Sequence, residues 1–253
     1  MPGYLEDLAF IHDDGFTDYA QRAAPGLLEI LRRNRLNGGL VVDLGCGSGR
    51  WARELNRAGY DALGVDQSPA MIRLARKIAP RSKFVAASLL SARLPECDAV
   101  TSIGECINYT FDRRNSRAKL RELFARVYRA LWPGGVFVCD FAEPERAAKA
   151  AGRHFVEGRD WAVLVEVDGD RERKRLERRI VAFRKSGTQF RRSEETHVLN
   201  LYAAEDLLRD LARCGFHARK LRGYGKFKFP QGIAGILAIK PSSRKSLGIR
   251  VTA

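Results

Sequence analysis

The stretch Leu40–Arg50, LVVDLGCGSGR, narrows the possible folds more than any other part of the chain. An apolar, β-branched run ends in an acid, Asp43, and is followed by Gly45, Gly47 and Gly49. Glycine adopts left-handed backbone without strain and carries no side chain, so a loop this rich in it lets another molecule come up against the main chain. A helical stretch, Trp51–Ala58, comes next. Strand, glycine loop and helix in that order open a βαβ unit, whose ligands gather at the carboxyl ends of the strands.

The same alternation continues to Phe141. Ala62–Val65 reads as a second strand and Ser68–Ile78 as a second helix, with Ser68 as N-cap and Pro69 in the first turn, where a missing N–H does no harm. Phe84–Ala87 and Ala99–Ile103 are the third and fourth strands, Arg117–Leu131 is a long helix stopped by Pro133-Gly134-Gly135, and Val136–Asp140 is the fifth strand. Beyond it the period changes. From Trp161 to Tyr202 apolar residues alternate singly, as in Trp161, Val163, Val165 and Val167, with turn residues at Asp168-Gly169-Asp170 and Ser186-Gly187. This predicts an inserted antiparallel ribbon of about three strands with one wet face. Glu205–Cys214, capped by Gly215, reads as the last helix, and strands at Ala218–Arg222 and Ile233–Ile239 close the sheet. Tyr4–Arg33 is helical and precedes the first strand, which places it to fold over the mouth of the site.

At 253 residues and 45% hydrophobic, the chain has enough apolar material for one sizeable core. The expected division is a single domain over residues 1–240: a helical lid at 1–36, a ligand-binding core at 37–145, the inserted ribbon at 150–202, and the last helix with the closing strands at 203–240. A flexible, basic tail at 241–253 follows. No run reaches the ~18 apolar residues that span a bilayer, and the start of the chain lacks a basic and apolar leader. Five cysteines, widely spaced, show no zinc or iron–sulfur pattern and read as reduced, buried thiols. No metal site is expected. These features predict a soluble, cytoplasmic protein outside any membrane. The net charge of +15 admits a nucleic-acid partner without demanding one; ten Lys or Arg between Arg171 and Arg192 face only Glu172 and Glu177, which reads foremost as a solvated ribbon face.

The glycine spacing disfavours a dinucleotide, whose fingerprint Gly-x-Gly-x-x-Gly needs a third small residue where Arg50 stands. An acid just before the loop argues for a ligand with a cationic end. A second acid, Asp66, ends the next strand, where a carboxylate can accept both hydroxyls of a ribose. The segments VVDLGCGSG, GVDQSPAMI, LPECDAVTSIGECINY and LWPGG, in that order and spacing over about Leu40–Asp140, resemble the class I S-adenosylmethionine-dependent methyltransferases. The resemblance implies an α/β fold with a doubly wound, mostly parallel seven-stranded sheet, an N-terminal helical lid and the inserted antiparallel ribbon. It implies S-adenosyl-L-methionine as cofactor. Asp43, Leu44, Gly45, Cys46, Gly47 and Gly49 would hold its methionine portion and Asp66 its ribose. Gln67 and Met71 would flank the adenine, Ser88 and Leu89 would lie against it with Ser88 replacing an acid common in the family, and Ile103 and Gly104 would complete the wall.

The sulfonium of such a cofactor is an activated leaving group, so the protein has mainly to align a nucleophile and exclude water. GECINYT follows the fourth strand and offers Glu105, Asn108 and Tyr109 to both ligands, while EETHVLNLY at the end of the ribbon offers His197 and Tyr202. Glu105, His197 and Tyr202 are therefore the candidate catalytic residues, with His12 a weaker one. SIGECINY lacks the Asn-Pro-Pro-aromatic stretch that stacks a flipped base, and the inserted ribbon resembles the lids of enzymes acting on small N- and O-nucleophiles. A small-molecule methyl acceptor is expected. The alternatives are an RNA or protein methyltransferase that docks its partner on the basic ribbon, and a non-catalytic binder of the same cofactor. Radical chemistry would need three closely spaced cysteines, and a hydrolase elbow would need Gly two residues before Ser48; neither is present.

Overall fold

The computed structural model describes residues 3–16 and 18–242. Two helices, α1 (Glu6–Gly15) and α2 (Asp18–Arg33), precede the strand β1 (Leu40–Leu44). The alternation then runs α3 (Arg50–Arg57), β2 (Asp61–Asp66), α4 (Pro69–Ile78), β3 (Lys83–Ala86), β4 (Cys97–Ser102), α5 (Arg117–Ala130) and β5 (Leu131–Ala142). A short helix α6 (Arg146–Ala150) leads into β6 (Gly152–Gly158), β7 (Trp161–Asp170), β8 (Arg175–Ser186) and β9 (Gln189–Asn200). The chain closes with α7 (Ala204–Arg213), β10 (His217–Leu221), the two-residue strands β11 (Gly223–Tyr224) and β12 (Phe227–Lys228), and β13 (Ile233–Ile239). Residues 243–253 of the expected tail lie outside the described residues.

The main sheet has seven strands in the order β10-β13-β5-β4-β1-β2-β3. Strands β3 to β5 are parallel, while β13 runs antiparallel to β5 and to β10. Sequence order reverses between β1 and β4, and that switch point leaves a crevice at their carboxyl ends. The central strands are apolar on both faces because both are covered. In β5, Phe137, Cys139 and Phe141 enter the layer under α5 and α7, while Val136 and Val138 enter the layer under α2, α3 and α4. Burial of a side chain of this size contributes ~1.5–3 kcal/mol.

Local chemistry explains several boundaries. Ser68 caps α4 by accepting from the Met71 N–H at 3.2 Å with Pro69 as the first helical residue, and Ser116 caps α5 by accepting from Lys119 at 3.3 Å. The Pro133-Gly134-Gly135 segment ends α5 as expected, yet it lies inside β5, not before it. Pairing to β4 slips there, from Cys97 opposite Leu131 to Ala99 opposite Val136, so a bulge absorbs the proline and glycines. The ribbon has four strands where about three were expected, and β7 continues through Asp168-Gly169-Asp170 to turn at residues 171–174. Gly169 cannot be a tight hairpin tip here, because it packs against the Ala147 carbonyl of α6.

Helix α1 bridges ribbon and core: Leu8 and Ile11 pack with Trp161, Val163 and Ile180, and Ala9 packs on Ala70 and Met71 of α4. Polar ties reinforce it, from Arg50 to Asp13 at 2.8 Å, from Trp161 Nε1 to Asp14 at 2.7 Å, from Ser68 Oγ to the Tyr4 carbonyl at 2.7 Å, and from Arg184 and Arg191 to Asp7. No described helix is long and apolar enough to cross a membrane.

Gly49, at φ 78°, starts α3 in left-handed backbone, and a Cβ there would stand 3.0 Å from the Cα of Ala75 on α4. Gly47, at φ 51°, would meet nothing within 4 Å. Gly47→Ala should therefore lose only the backbone term of about 1–2 kcal/mol, and Gly49→Ala clearly more. Urea midpoints at constant m-value measure the difference; equal losses would mean that the α3–α4 contact yields freely.

Candidate active site

The crevice at the switch point encloses about 700 Å³, a size typical of small-molecule sites. Its floor is the loop after β1. The Gly45 and Cys46 amides donate to the Val65 carbonyl at 2.7 and 3.1 Å, and the Gly47 amide donates to Asp66 Oδ2 at 2.9 Å. Asp66 also accepts from the Ser68 amide at 2.8 Å, which locks the loop to the start of α4. With open space where its Cβ would be, Gly47 presents bare backbone to the crevice.

Asp43 is buried beside this loop. Thr101 Oγ1 donates to it at 2.8 Å and itself accepts from Trp51 Nε1 at 3.1 Å. Burial pushes the Asp43 carboxyl up to about 7, against the Thr101 hydrogen bond and with help from the neighbouring Asp66 charge. Burial also raises Asp66, while the amides of Ser68, Gly47 and Gln67 favour its ionised form. Two carboxylates whose ionisation is opposed by burial face the same cavity. A ligand bringing positive charge would relieve both.

Of the expected cofactor residues, Asp43, Gly45, Cys46, Gly47, Asp66, Gln67, Met71, Ser88, Leu89, Ile103 and Gly104 line the crevice. Leu44 does not: its side chain is fully buried in the core under α5, and only its carbonyl is engaged, by Ser102 Oγ at 2.9 Å. Alternation along β1 requires this, since Asp43 and Leu44 point to opposite faces. Gly49 lies behind the loop as the N-cap of α3. Ser88 has an acid from elsewhere in the chain beside it. Ser88 Oγ donates to Asp112 Oδ2 at 2.6 Å, and Asp112 lines the crevice with its carboxyl held well below the usual range by Arg114. No spacing rule in the sequence pairs positions 88 and 112.

The catalytic candidates separate in the same way. Glu105 lines the crevice. Its backbone is left-handed, φ 60°, held so because the Gly104 and Glu105 amides both donate to Asp140 Oδ1 at 2.8 and 2.7 Å. Asp140 is fully buried, takes two more hydrogen bonds from the Tyr19 and Tyr224 hydroxyls at 3.0 Å each, and is pushed up to about 6 by burial against these donors. The Glu105 side chain accepts at Oε2 from Arg178 at 2.8 Å, and Arg178 also donates to the Tyr109 hydroxyl at 2.8 Å. Burial opposes the Arg178 charge, but Tyr109 and Glu105 outweigh it and keep the guanidinium protonated.

His197 and Tyr202 do not line the crevice. His197 is buried behind an aromatic wall, with ring centroids 4.8 Å from both Tyr4 and Phe111, and its Nε2 lies 2.9 Å from Glu195. Glu195 in turn accepts from the Tyr4 and Leu5 amides at 2.7 and 2.8 Å, so this pair anchors the entry to α1. Tyr202 sits in the core and donates to Asn115 Oδ1 at 3.2 Å. Asn108 is also absent from the lining; its side chain stitches Ala142 of β5 to Asn200 of β9. Two other histidines face the cavity, His154 of β6 and His12 of α1, and burial holds His12 down to about 4 and therefore neutral at pH 7. A single helical turn phase decides its direction, which residue type alone does not reveal.

Comparison with known proteins finds relatives of the core segment and of the fold. Residues 41–135 match the model of the methyltransferase domain family. A demethylmenaquinone methyltransferase of Tropheryma whipplei is 32% identical over 107 residues, which is 42% of this chain and 43% of that protein, so the match spans less than half of the relative's length. Among solved structures, an S-adenosylmethionine-dependent methyltransferase from Clostridium acetobutylicum superposes with a TM-score of 0.78 at 18% identity, covering 92% of this chain and 97% of that one. The sugar N-methyltransferase KedS8 from Streptoalloteichus gives 0.75 at 22% identity, covering 96% and 95%. At such identities the solved structures establish the fold, and the match to the methyltransferase domain family is confined to residues 41–135.

Proposed function

We propose that the protein is a methyltransferase that uses S-adenosyl-L-methionine to methylate an N or O atom of a small molecule. The observation that carries this reading is the pairing of Asp43 and Asp66 across the bare backbone of Gly47, in a crevice that continues under the lid and ribbon. The residues present fit the cofactor. Asp43 would face its cationic amino-acid end, Asp66 the ribose hydroxyls, Met71 and Leu89 the faces of the adenine, and Asp112 with Ser88 the exocyclic amino group. When bound, the cofactor supplies an electrophilic methyl on a positively charged sulfur.

The remaining work belongs to the chain. Tyr4, Phe16 and Tyr19 on the N-terminal segment cover the crevice and keep water out. Glu105, aimed inward by its left-handed backbone, is placed to accept a hydrogen bond or proton from the acceptor through Oε1, which has no partner of its own. His197 holds Tyr4 and Phe111 in place and acts on the acceptor through them, while Tyr202 has a packing role.

An RNA- or protein-docking ribbon is less well supported, because most of the ribbon cations are already engaged within the chain. Arg178 pairs with Glu105, Arg179 with Glu194, Arg184 and Arg191 with Asp7, and Arg192 with Glu194. Lys174 and Arg175 alone in Arg171–Arg192 have no ion-pair partner among the described residues. Ion pairs that hold a lid against a ribbon are not free to release counterions from a polyanion.

Calorimetry with S-adenosylmethionine and with a nicotinamide dinucleotide tests the reading. Binding of the first alone, weakened by about tenfold or more in Asp66→Ala through loss of hydrogen bonds to a charged group, supports it; tight dinucleotide binding overturns it. Labelled methyl transfer to a component of a metabolite extract separates an enzyme from a binder without activity. Affinity should also depend on pH. With its carboxyl raised to about 7, Asp43 is largely protonated at pH 6 and must lose that proton to meet a cation, so binding strengthens as pH rises through 7. Between pH 6 and 8 the gain should be about tenfold, and Asp43→Asn should flatten it. An unchanged slope in that variant would remove Asp43 from the cationic subsite.

A further inference from the structure

The charges lining the crevice are sorted by sign. Asp43 and Asp66 on β1 and β2, with Asp112 beside Ser88, place the negative charge on one side. On α6 and β8 the lining cations are Arg146, Lys149 and Arg178, and Glu105 is the lining acid that reaches toward Arg146 and Arg178. The fourth lining cation, Arg50, is taken by Asp13 at 2.8 Å.

Glu105 cannot neutralise three cations. Its Oε2 is committed to Arg178. Its Oε1 stands 3.9 Å from Arg146 Nε, beyond hydrogen-bond reach, and both atoms are buried without a hydrogen-bond partner. Lys149 has no ion-pair partner among the described residues, and it borders the same space. The rest of this end is mostly apolar, built from Ala150, Val156, Val165, Val167 and Ile233, with His154 of β6 beside them. Excess positive charge beside apolar walls draws in a group that brings compensating negative charge.

We infer that the methyl acceptor is an anion with an apolar body, its carboxylate or phosphate seated between Arg146 and Lys149 and its body against the ribbon valines. An ammonium acceptor would meet uncompensated like charge on this side. The polar gap between Glu105 Oε1 and Arg146 Nε suits a hydroxyl or neutral amine on the same molecule, which donates to one and accepts from the other.

This inference rests on the methyl-transfer reading above, and the test keeps the two apart. Protein saturated with S-adenosylhomocysteine is titrated calorimetrically with hexanoate, hexyl phosphate, hexanamide and hexylammonium. At least one anion should bind about tenfold or more tighter than the amide and the ammonium, and the tighter anion identifies carboxylate or phosphate as the recognised group. Lys149→Gln, an exposed position that does not endanger the fold, and Arg146→Gln should each weaken that anion about tenfold while S-adenosylhomocysteine binds as before. Equal or tighter binding of the ammonium or the amide, no anion binding in protein that still takes up S-adenosylhomocysteine, or anion affinity indifferent to both variants overturns the inference and leaves the methyl-transfer reading standing. Failure to bind S-adenosylhomocysteine at all removes the reading on which it rests.

Discussion

The buried carboxylate of Asp140 ties together four parts of the chain: β5, the loop after β4, α2 and β11. It lies in the buried part of β5, accepts from the two amides that follow β4, and receives the hydroxyls of Tyr19 from α2 and Tyr224 from β11. A carboxylate taken out of water is tolerated only with such a set of donors, so each one is held to a narrow geometry. That constraint turns Gly104 and Glu105 into left-handed backbone, and it thereby carries the Glu105 side chain into the crevice. Strain at this position is compensated by the surrounding hydrogen bonds, a pattern common at functional sites. The lid enters the same network, because α2 cannot shift without withdrawing the Tyr19 hydroxyl.

A second set of constraints is electrostatic and concerns the covering layer. Acids on α1 each reach a different element: Glu6 meets Arg73 of α4, Asp7 meets Arg184 and Arg191 of the ribbon, and Asp13 meets Arg50 of α3. Where such pairs are exposed they add little stability individually. Their value here is positional, since they surround the hydrophobic contact between α1 and the ribbon. Tyr4, just before α1, packs on Tyr109, Phe111 and His197. The large positive charge of the chain is thus partly internal, spent on holding its own lid and ribbon.

The core was legible in the sequence because its signals are local. Strand β1 has the bounds that the apolar run gives, and α4 begins where Ser68 and Pro69 require. The first ribbon strand was not legible. Along β6 the residues from Gly152 to Glu157 are exposed, so no apolar alternation marks it; it exists because its backbone pairs with β7 over the whole of Gly152–Gly158. Strand β5 is longer than its apolar run, since a bulge lets Pro133 and two glycines stay within the ladder.

For the site, the sequence by itself determined the glycine loop, the two acids at the ends of β1 and β2, and Glu105 after β4, because each is fixed by its distance from a strand end. Only the tertiary structure decided that His12 and not His197 faces the crevice, that Leu44 turns into the core, and that Asp112 stands beside Ser88. It also decided that Arg146, Lys149 and Arg178 gather at the crevice. The physical reason is the range of the interactions. Backbone periodicity and capping act over a few residues, whereas side-chain direction and charge pairing depend on packing between segments tens of residues apart in the chain.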